Sequence, residues 1–323
     1  GTGSVSFVTA ADVDVTFTPG SPLSYVVNSG TTIARGQTIG GTVRGDTVDF
    51  HMVTAAGVVD AVLQVDALVT ATTASATGNG IRLFADSPDA SVDIEINGEW
   101  LSGGTIGIET GGDLQASAAL TGSAVEIFTG GTLVVDDLTA SNGGIFLDGA
   151  GVTTGNLSAN GGDISLSALG NILTGNLTSL LRLGVGGGID AQATGTITLG
   201  ALDAGADIAI DALQQVTTGA INARGALSVS TVLGAGADVR FLGDVAASDI
   251  FIEASGDFVG AGLTARTGNV VVGGLSIAAT DVRANRGAVT LTAADSIVTT
   301  SVIANGVNPG DGTITIRSTG GGA

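Results

Sequence analysis

The 323-residue chain contains no cysteine, no lysine, one histidine, one tryptophan and one tyrosine. Without cysteine there is no disulfide framework, so the fold holds by packing alone, and the chain can be exported unfolded. No stretch of 18 apolar residues occurs, which excludes a membrane-spanning helix. All ten basic residues are arginines against 30 acidic ones, for a net charge of −20. No basic stripe is present to neutralise phosphate, so neither nucleic acid nor anionic lipid is expected as a partner. With His51 alone and no thiol, a zinc site would have to lean on carboxylates, and no Ser-His-Asp triad is marked. No metal and no cofactor is expected. With so few aromatic residues, the core has to be built from Val, Ile, Leu and Ala.

What the chain does have is a period. Leu138, Leu157, Leu177, Leu202, Ile221, Val245, Leu263, Val282 and Val302 follow one another at steps of 18 to 20 residues, except 177 to 202 and 221 to 245, which read as a unit plus a short insertion. Two residues after each comes a small residue: Ala140, Ala159, Ser179, Ala204, Ala223, Ala247, Ala265, Ala284 and Ala304. Repetition at this length with strand-like content signals a solenoid.

Each unit opens with two apolar residues spaced by two, such as Ile145 and Leu147, Ile164 and Leu166, or Ile208 and Ile210. That spacing puts both on one face of a strand. A second strand follows at Val152, Ile172, Val216, Phe258, Ile277 or Ile297, and the Leu, Ile or Val of the period comes five residues later. Glycines such as Gly161, Gly225, Gly268 and Gly287 precede the first strand, where a positive φ is often needed, and the alanine after the third strand suits a tight bend. The reading is all-β: a right-handed parallel β-helix with three short strands in each coil of roughly 19 residues. About twelve coils fit between residues 81 and 316. The strands are too short for a membrane β-barrel, which needs about ten residues each.

Along the chain, residues 1–75 read as an irregular β-helix start or a cap, with turns at Pro19-Gly20 and Gly40-Gly41. Residues 76–105 read as a coil with an acidic insertion, 106–317 as regular β-helix, and 318–323 as a frayed tail.

The units Leu157-Ser158-Ala159-Asn160-Gly161-Gly162-Asp163-Ile164-Ser165-Leu166 and Val282-Arg283-Ala284-Asn285-Arg286-Gly287-Ala288-Val289-Thr290-Leu291 resemble the repeats of filamentous-haemagglutinin-type exoproteins of two-partner secretion, as does Asn28-Ser29-Gly30-Thr31-Thr32-Ile33-Ala34-Arg35-Gly36. The secretion domain of that family carries Asn-Pro-Asn signatures, which Asn308-Pro309-Gly310 does not match, so the segment is expected to be downstream shaft of a longer protein. The resemblance implies a secreted or surface-displayed fibre of a Gram-negative bacterium, exported through an outer-membrane transporter. Its role would be attachment to an unidentified receptor, surface or glycan.

Candidate sites are few. Arg44-Gly45-Asp46 has the form of an integrin-binding tripeptide and is the binding candidate, although a plain turn is the stronger reading. Asp93 to Gly98 and Gly234 to Asp238 have partial calcium-loop form and are better read as an acidic strand edge and a glycine turn. Asp163, Asp207 and Asp249 share one coil position and read as solvated. Asn156 and Asn176 sit in matched Thr-Gly-Asn-Leu phrases and read as stacked amides that also begin glycosylation sequons. The outward middle residues of the first strands form no flat threonine face, so ice binding is not expected.

The leading functional reading is an adhesive shaft without catalysis. The alternative is a carbohydrate-active β-helix enzyme, a polysaccharide lyase or hydrolase. It rests on Asp86, Asp89, Asp93, Glu95 and Glu99, with Arg82 and Trp100 nearby in sequence.

Overall fold

The computed structural model describes residues 5–9, 12–16, 24–29, 37–45, 47–53, 61–65, 68–71, 79–86, 92–180, 187–232, 236–306 and 312–320. Among them there are strands, turns and bends but no helix. The chain divides into two compact units, Gly1–Ala159 and Asn160–Ala323. The boundary falls inside the stretch that the sequence presents as one regular series.

Both units are parallel β-helices. Within each, a strand pairs in parallel with its counterpart one coil later. In the first unit Val125–Thr129 lies on Thr105–Thr110 and under Ile145–Gly149. In the second, Ile208–Ala212 lies between Ile189–Ala193 and Leu227–Thr231. The register stacks like on like. Val43, Val69, Trp100, Leu120, Leu138 and Leu157 form one column. Leu177, Leu202, Ile221, Val245, Leu263, Val282 and Val302 form another. Leu157, Leu177 and Ile221 are all at most 2% exposed, and the periodic residues from Leu138 to Val282 fill the bore, whereas Val302 in the last coil is half-buried. Each such aliphatic side chain contributes about 1.5–3 kcal/mol by leaving water.

The two long steps are accommodated without loss of register. Ile164 still pairs with Ile189, so the first insertion falls between Leu180 and Ile189; Val216 still pairs with Val239, so the second falls between Thr231 and Val239.

The small residue two places after each column residue has a different cause from the bend expected for it. Ala140, Ala159, Ala204, Ala223, Ala247, Ala265 and Ala284 are at most 1% exposed. They are the next inward position of the same strand, and the narrow bore has room there only for a methyl. Ser179 takes this place by donating its hydroxyl to the Gly162 carbonyl at 2.8 Å. Inward threonines are satisfied in the same local way: Thr154, Thr174 and Thr218 donate to the carbonyls of Gly155, Gly175 and Gly219 at 3.0–3.2 Å.

The corners are fastened by one recurring bond. An Asp or Asn at the corner turns its Oδ1 along the stack and accepts the backbone N–H of the matching corner one coil ahead. Asp113 accepts from Thr132, Asp137 from Asn156, Asn171 from Thr196, Asp207 from Ala226, Asp238 from Asp257 and Asp249 from Asn269, at 2.6–2.9 Å. Asp257 and Asn269 pass it on to Ser276 and Ala288. Asp163 joins the series through Gly188 N–H at 2.8 Å. The aspartates read as merely solvated are therefore corner acceptors. Asn156 donates to Asp137 and Asn176 accepts from Ala201, so both amides are engaged in corner bonds within their own units.

This bond also explains most of the corner glycines. Gly161 has φ +94°, as expected, but Gly225, Gly268 and Gly287 do not adopt a positive φ. They are glycine because the corner below comes too close: a Cβ on Gly225 would overlap the Asp207 carboxylate, and one on Gly268 the Asp249 carboxylate.

The ends of the series depart from three short strands per coil. Asp12–Thr16 and Ser24–Ser29 form a separate antiparallel pair, while Val5–Thr9 lies parallel on Val48–Val53. Stacked coils are already in place from Gln37–Ile39 onward, which pairs with Ala61–Val65. In the second unit, Val270–Ala284 and Val289–Ala304 run on through corners as single strands of 15 and 16 residues, with a register shift between Gly274 and Ser276. Glycine and a bulge let the strand bend there without breaking its pairing.

Candidate functional site

Inward side chains in these coils are close to uniform, so chemistry has to sit on outward positions. In parallel strands, outward residues of successive coils line up about 4.8 Å apart. On the first-strand face of the Gly1–Ala159 unit this brings two columns together. One runs Asp49, Arg82, Gly107, Glu126, Phe146; the other runs His51, Phe84, Glu109, Phe128, Asp148. Three of the nine phenylalanines of the chain are on this face.

Gly107 lies at the centre. A Cβ there would meet nothing within 4 Å. Glycine is needed neither for packing nor for its backbone angle at this position, and its effect is to leave a dent. The result is a solvent-open depression of about 310 Å³ lined by Arg82, Leu83, Gly107, Ile108, Glu109, Glu126 and Phe128. Leu83 and Ile108 point inward and are at most 1% exposed, so they offer only backbone to the floor. Arg82, Glu109 and Glu126 are exposed and rise around it. Phe128 is 47% exposed and Phe146 42%. Phe84 is half-buried, with the Arg82 guanidinium carbon 5.9 Å from its ring centre and the His51 ring edge-on at 5.1 Å. The face therefore offers carboxylate acceptors, a forked donor and the exposed ring of Phe128 around one hollow, with Phe146 one coil further on.

The residues singled out from sequence lie elsewhere. Asp93 and Glu95 stand on the strand Val92–Ile96, which pairs with Ala61–Val65 and Leu114–Ala116 on a different face from Arg82. Asp93 accepts the Asp113 N–H at 2.9 Å. Trp100 is in the bore, 0% exposed, stacked on Phe50 at 5.7 Å. Arg82 and Asp86 share the strand Asn79–Asp86, Asp93 and Glu95 lie on Val92–Ile96, and Trp100 fills the bore, so the cluster drawn from closeness in sequence is divided over three strands of the coil. Asp89 lies outside the described residues.

Arg44 and Gly45 belong to the strand Thr42–Gly45, paired with Leu68–Ala71, rather than to a turn; Arg44 is exposed, and Asp46 lies outside the described residues. Asp238 uses one carboxylate oxygen on the Asp257 N–H and the other on Arg240, each at 2.9 Å, which makes it a corner acceptor with an ion pair; Gly234 and Ala235 lie outside the described residues. Among the described residues, no group of three or more His, Cys, Asp or Glu is arranged to hold a metal ion.

Comparison of the chain with protein-family models, with curated proteins and with solved structures gives no match. The functional reading therefore rests on the chain itself, its coils and the groups they present outward.

The Gly107 depression has a sequence signal that is visible once the register is known. Phe84, Phe128 and Phe146 alternate with inward residues, and Gly107 interrupts a strand, Thr105–Thr110, whose other outward residues carry side chains. A lone glycine inside a strand pattern marks a bulge or a close approach by another group.

Proposed function

We propose that this chain is a shaft segment of a secreted or surface-displayed bacterial fibre that mediates attachment. The observation that carries the reading is the division of labour in the coils. Inward columns and corner bonds are uniform and consume the backbone's hydrogen-bonding groups, while outward positions vary freely. Such a scaffold holds different surface groups at a fixed pitch of about 4.8 Å. A coil that meets only its neighbours can also fold progressively as the chain emerges, which suits export in an unfolded state through an outer-membrane transporter. The coil sequences that resemble filamentous-haemagglutinin-type repeats point the same way.

A second reading, a carbohydrate-active enzyme, draws on Glu109 and Glu126 lining one hollow, because paired carboxylates are the machinery of glycoside cleavage. Beads coated with the protein separate the two. Attachment requires them to adhere to cells or polysaccharide films more than albumin-coated beads do. No adhesion, together with polysaccharide cleavage that disappears in Glu126→Gln, would replace the first reading with the second.

A further inference from the structure

We infer that the hollow over Gly107 is a subsite for a neutral saccharide chain. The inference rests on the reading of the chain as an attachment module and names what that module holds. Three independent features of the face converge on this ligand class.

The first is shape. A Cβ at position 107 would meet nothing within 4 Å, yet the position is glycine, and the hollow it leaves is of the size that small ligands occupy. The second is the exposure of Phe128 and Phe146. Aromatic rings are scarce in this chain, and outward ones gain nothing from the core. An exposed ring offers an apolar surface on which the C–H face of a sugar packs by dispersion while its hydroxyls stay at the rim. The third is the polar rim. Glu109 and Glu126 accept hydrogen bonds from hydroxyls, and Arg82 donates to hydroxyl or ring oxygens. The Arg82 guanidinium has no carboxylate partner among the described residues and is steadied against Phe84, so its N–H groups remain available.

Charge selects within the class. Residues 1–159 carry 17 of the 30 acidic residues and three of the ten arginines. A polyanionic saccharide would approach against that field, and a neutral one would not. The hollow spans the strands of three successive coils, so a chain lying along the stack passes from Arg82 over Gly107 to Glu126, about 10 Å between the outer two backbones. That length suits two or three linked sugars, with Phe128 beside them and Phe146 beyond.

The test uses the whole chain and soluble polymers: laminarin, mannan, xyloglucan and dextran as neutral probes, and polygalacturonate as the anionic comparison, measured by affinity electrophoresis and calorimetry. At least one neutral polymer is expected to bind. Gly107→Leu fills the hollow without touching the core and is expected to weaken binding at least tenfold, with circular dichroism and unfolding midpoint unchanged. Phe128→Ala is expected to weaken it similarly. Thr217→Leu, an equivalent change on an outward position of the other unit, leaves it unchanged. Failure of every neutral polymer to bind, binding of polygalacturonate alone, or full binding by Gly107→Leu overturns the inference. The bead assay distinguishes this from failure of the attachment reading. Equal adhesion by wild type and Gly107→Leu removes the hollow and keeps attachment. Binding that depends on Gly107 in a protein whose beads do not adhere keeps the hollow and removes attachment.

Discussion

If the corner acceptors fasten one coil to the next, Asp249 and Gly268 should be energetically coupled in a way no other pairing explains. Asp249 accepts the Asn269 N–H at 2.8 Å. The three atoms nearest to a Cβ built on Gly268 all belong to the Asp249 carboxylate. Asp249→Ala removes the acceptor. Because Asn269 is exposed, water can partly replace it, so the cost is at the low end for a lost bond, about 1 kcal/mol. Asp249→Asn keeps the Oδ1 oxygen and should change stability by only a few tenths of a kcal/mol, since Asn171, Asn176 and Asn269 perform the same task. Gly268→Ala forces a methyl into the carboxylate and should cost about 1–3 kcal/mol. In the Asp249→Ala background that overlap is gone, so the double variant should be no less stable than Asp249→Ala alone. The coupling is then about 1–3 kcal/mol, large for a surface pair. Urea unfolding of all four proteins measures it, and hydrogen exchange of the Asn269 amide should quicken about fivefold in Asp249→Ala. Simple additivity of the two single changes, or an Asn substitution as damaging as Ala, would refute the role assigned to these corners.

Trp100 provides a second test. Its Nε1–H is buried with no hydrogen-bond partner among the described residues. Such an orphan costs about 1–3 kcal/mol. Trp100→Phe should therefore stay within about 1 kcal/mol of wild type, the relief offsetting the lost volume, whereas Trp100→Ala should cost about 3–5 kcal/mol in urea unfolding followed by circular dichroism. A Phe variant as unstable as the Ala variant would contradict this. In the second unit, Leu202→Ala should cost about 2–5 kcal/mol, and Thr198→Ala, outward on the neighbouring strand, less than about 0.5 kcal/mol. Equal effects would mean that the inward and outward assignments are wrong.

Much of this fold is readable from the sequence because the bore accepts so little variation. Aliphatic residues two apart, then a methyl-sized one, recur until the register follows from counting, and Leu202, Ile221 and Val245 stack as that count requires. Counting fails where chain is inserted. The step from Ile81 to Ile106 hides the place of Trp100 in the column between Val69 and Leu120, so a core residue is counted with the acidic residues around it. The hollow at Gly107 was hidden for another reason. Its walls come from Arg82, Glu109 and Glu126, neighbours only across coils, whereas Asp93 and Glu95 are close in sequence and on another face. Corner acceptors escaped notice because Asp and Asn alternate at these sites. What the position demands is an oxygen two bonds beyond Cβ, and neither charge nor residue name reports that.

The claim on which all else depends is that successive coils of a unit lie directly over one another. Distances between paired spin labels in the second unit test it most directly. The chain has no cysteine, so labels can be placed at will on Cys substituted for Ser165 and, in turn, for Phe251, Val271 and Thr290, which occupy one outward column at four, five and six coil steps. At about 4.8 Å per step the backbone separations are about 19, 24 and 29 Å, rising evenly although the intervening loops differ in length. Narrow distributions increasing by about 5 Å per coil are the expected result. Broad distributions, or distances that fail to rise with coil number, would contradict the stacked coil.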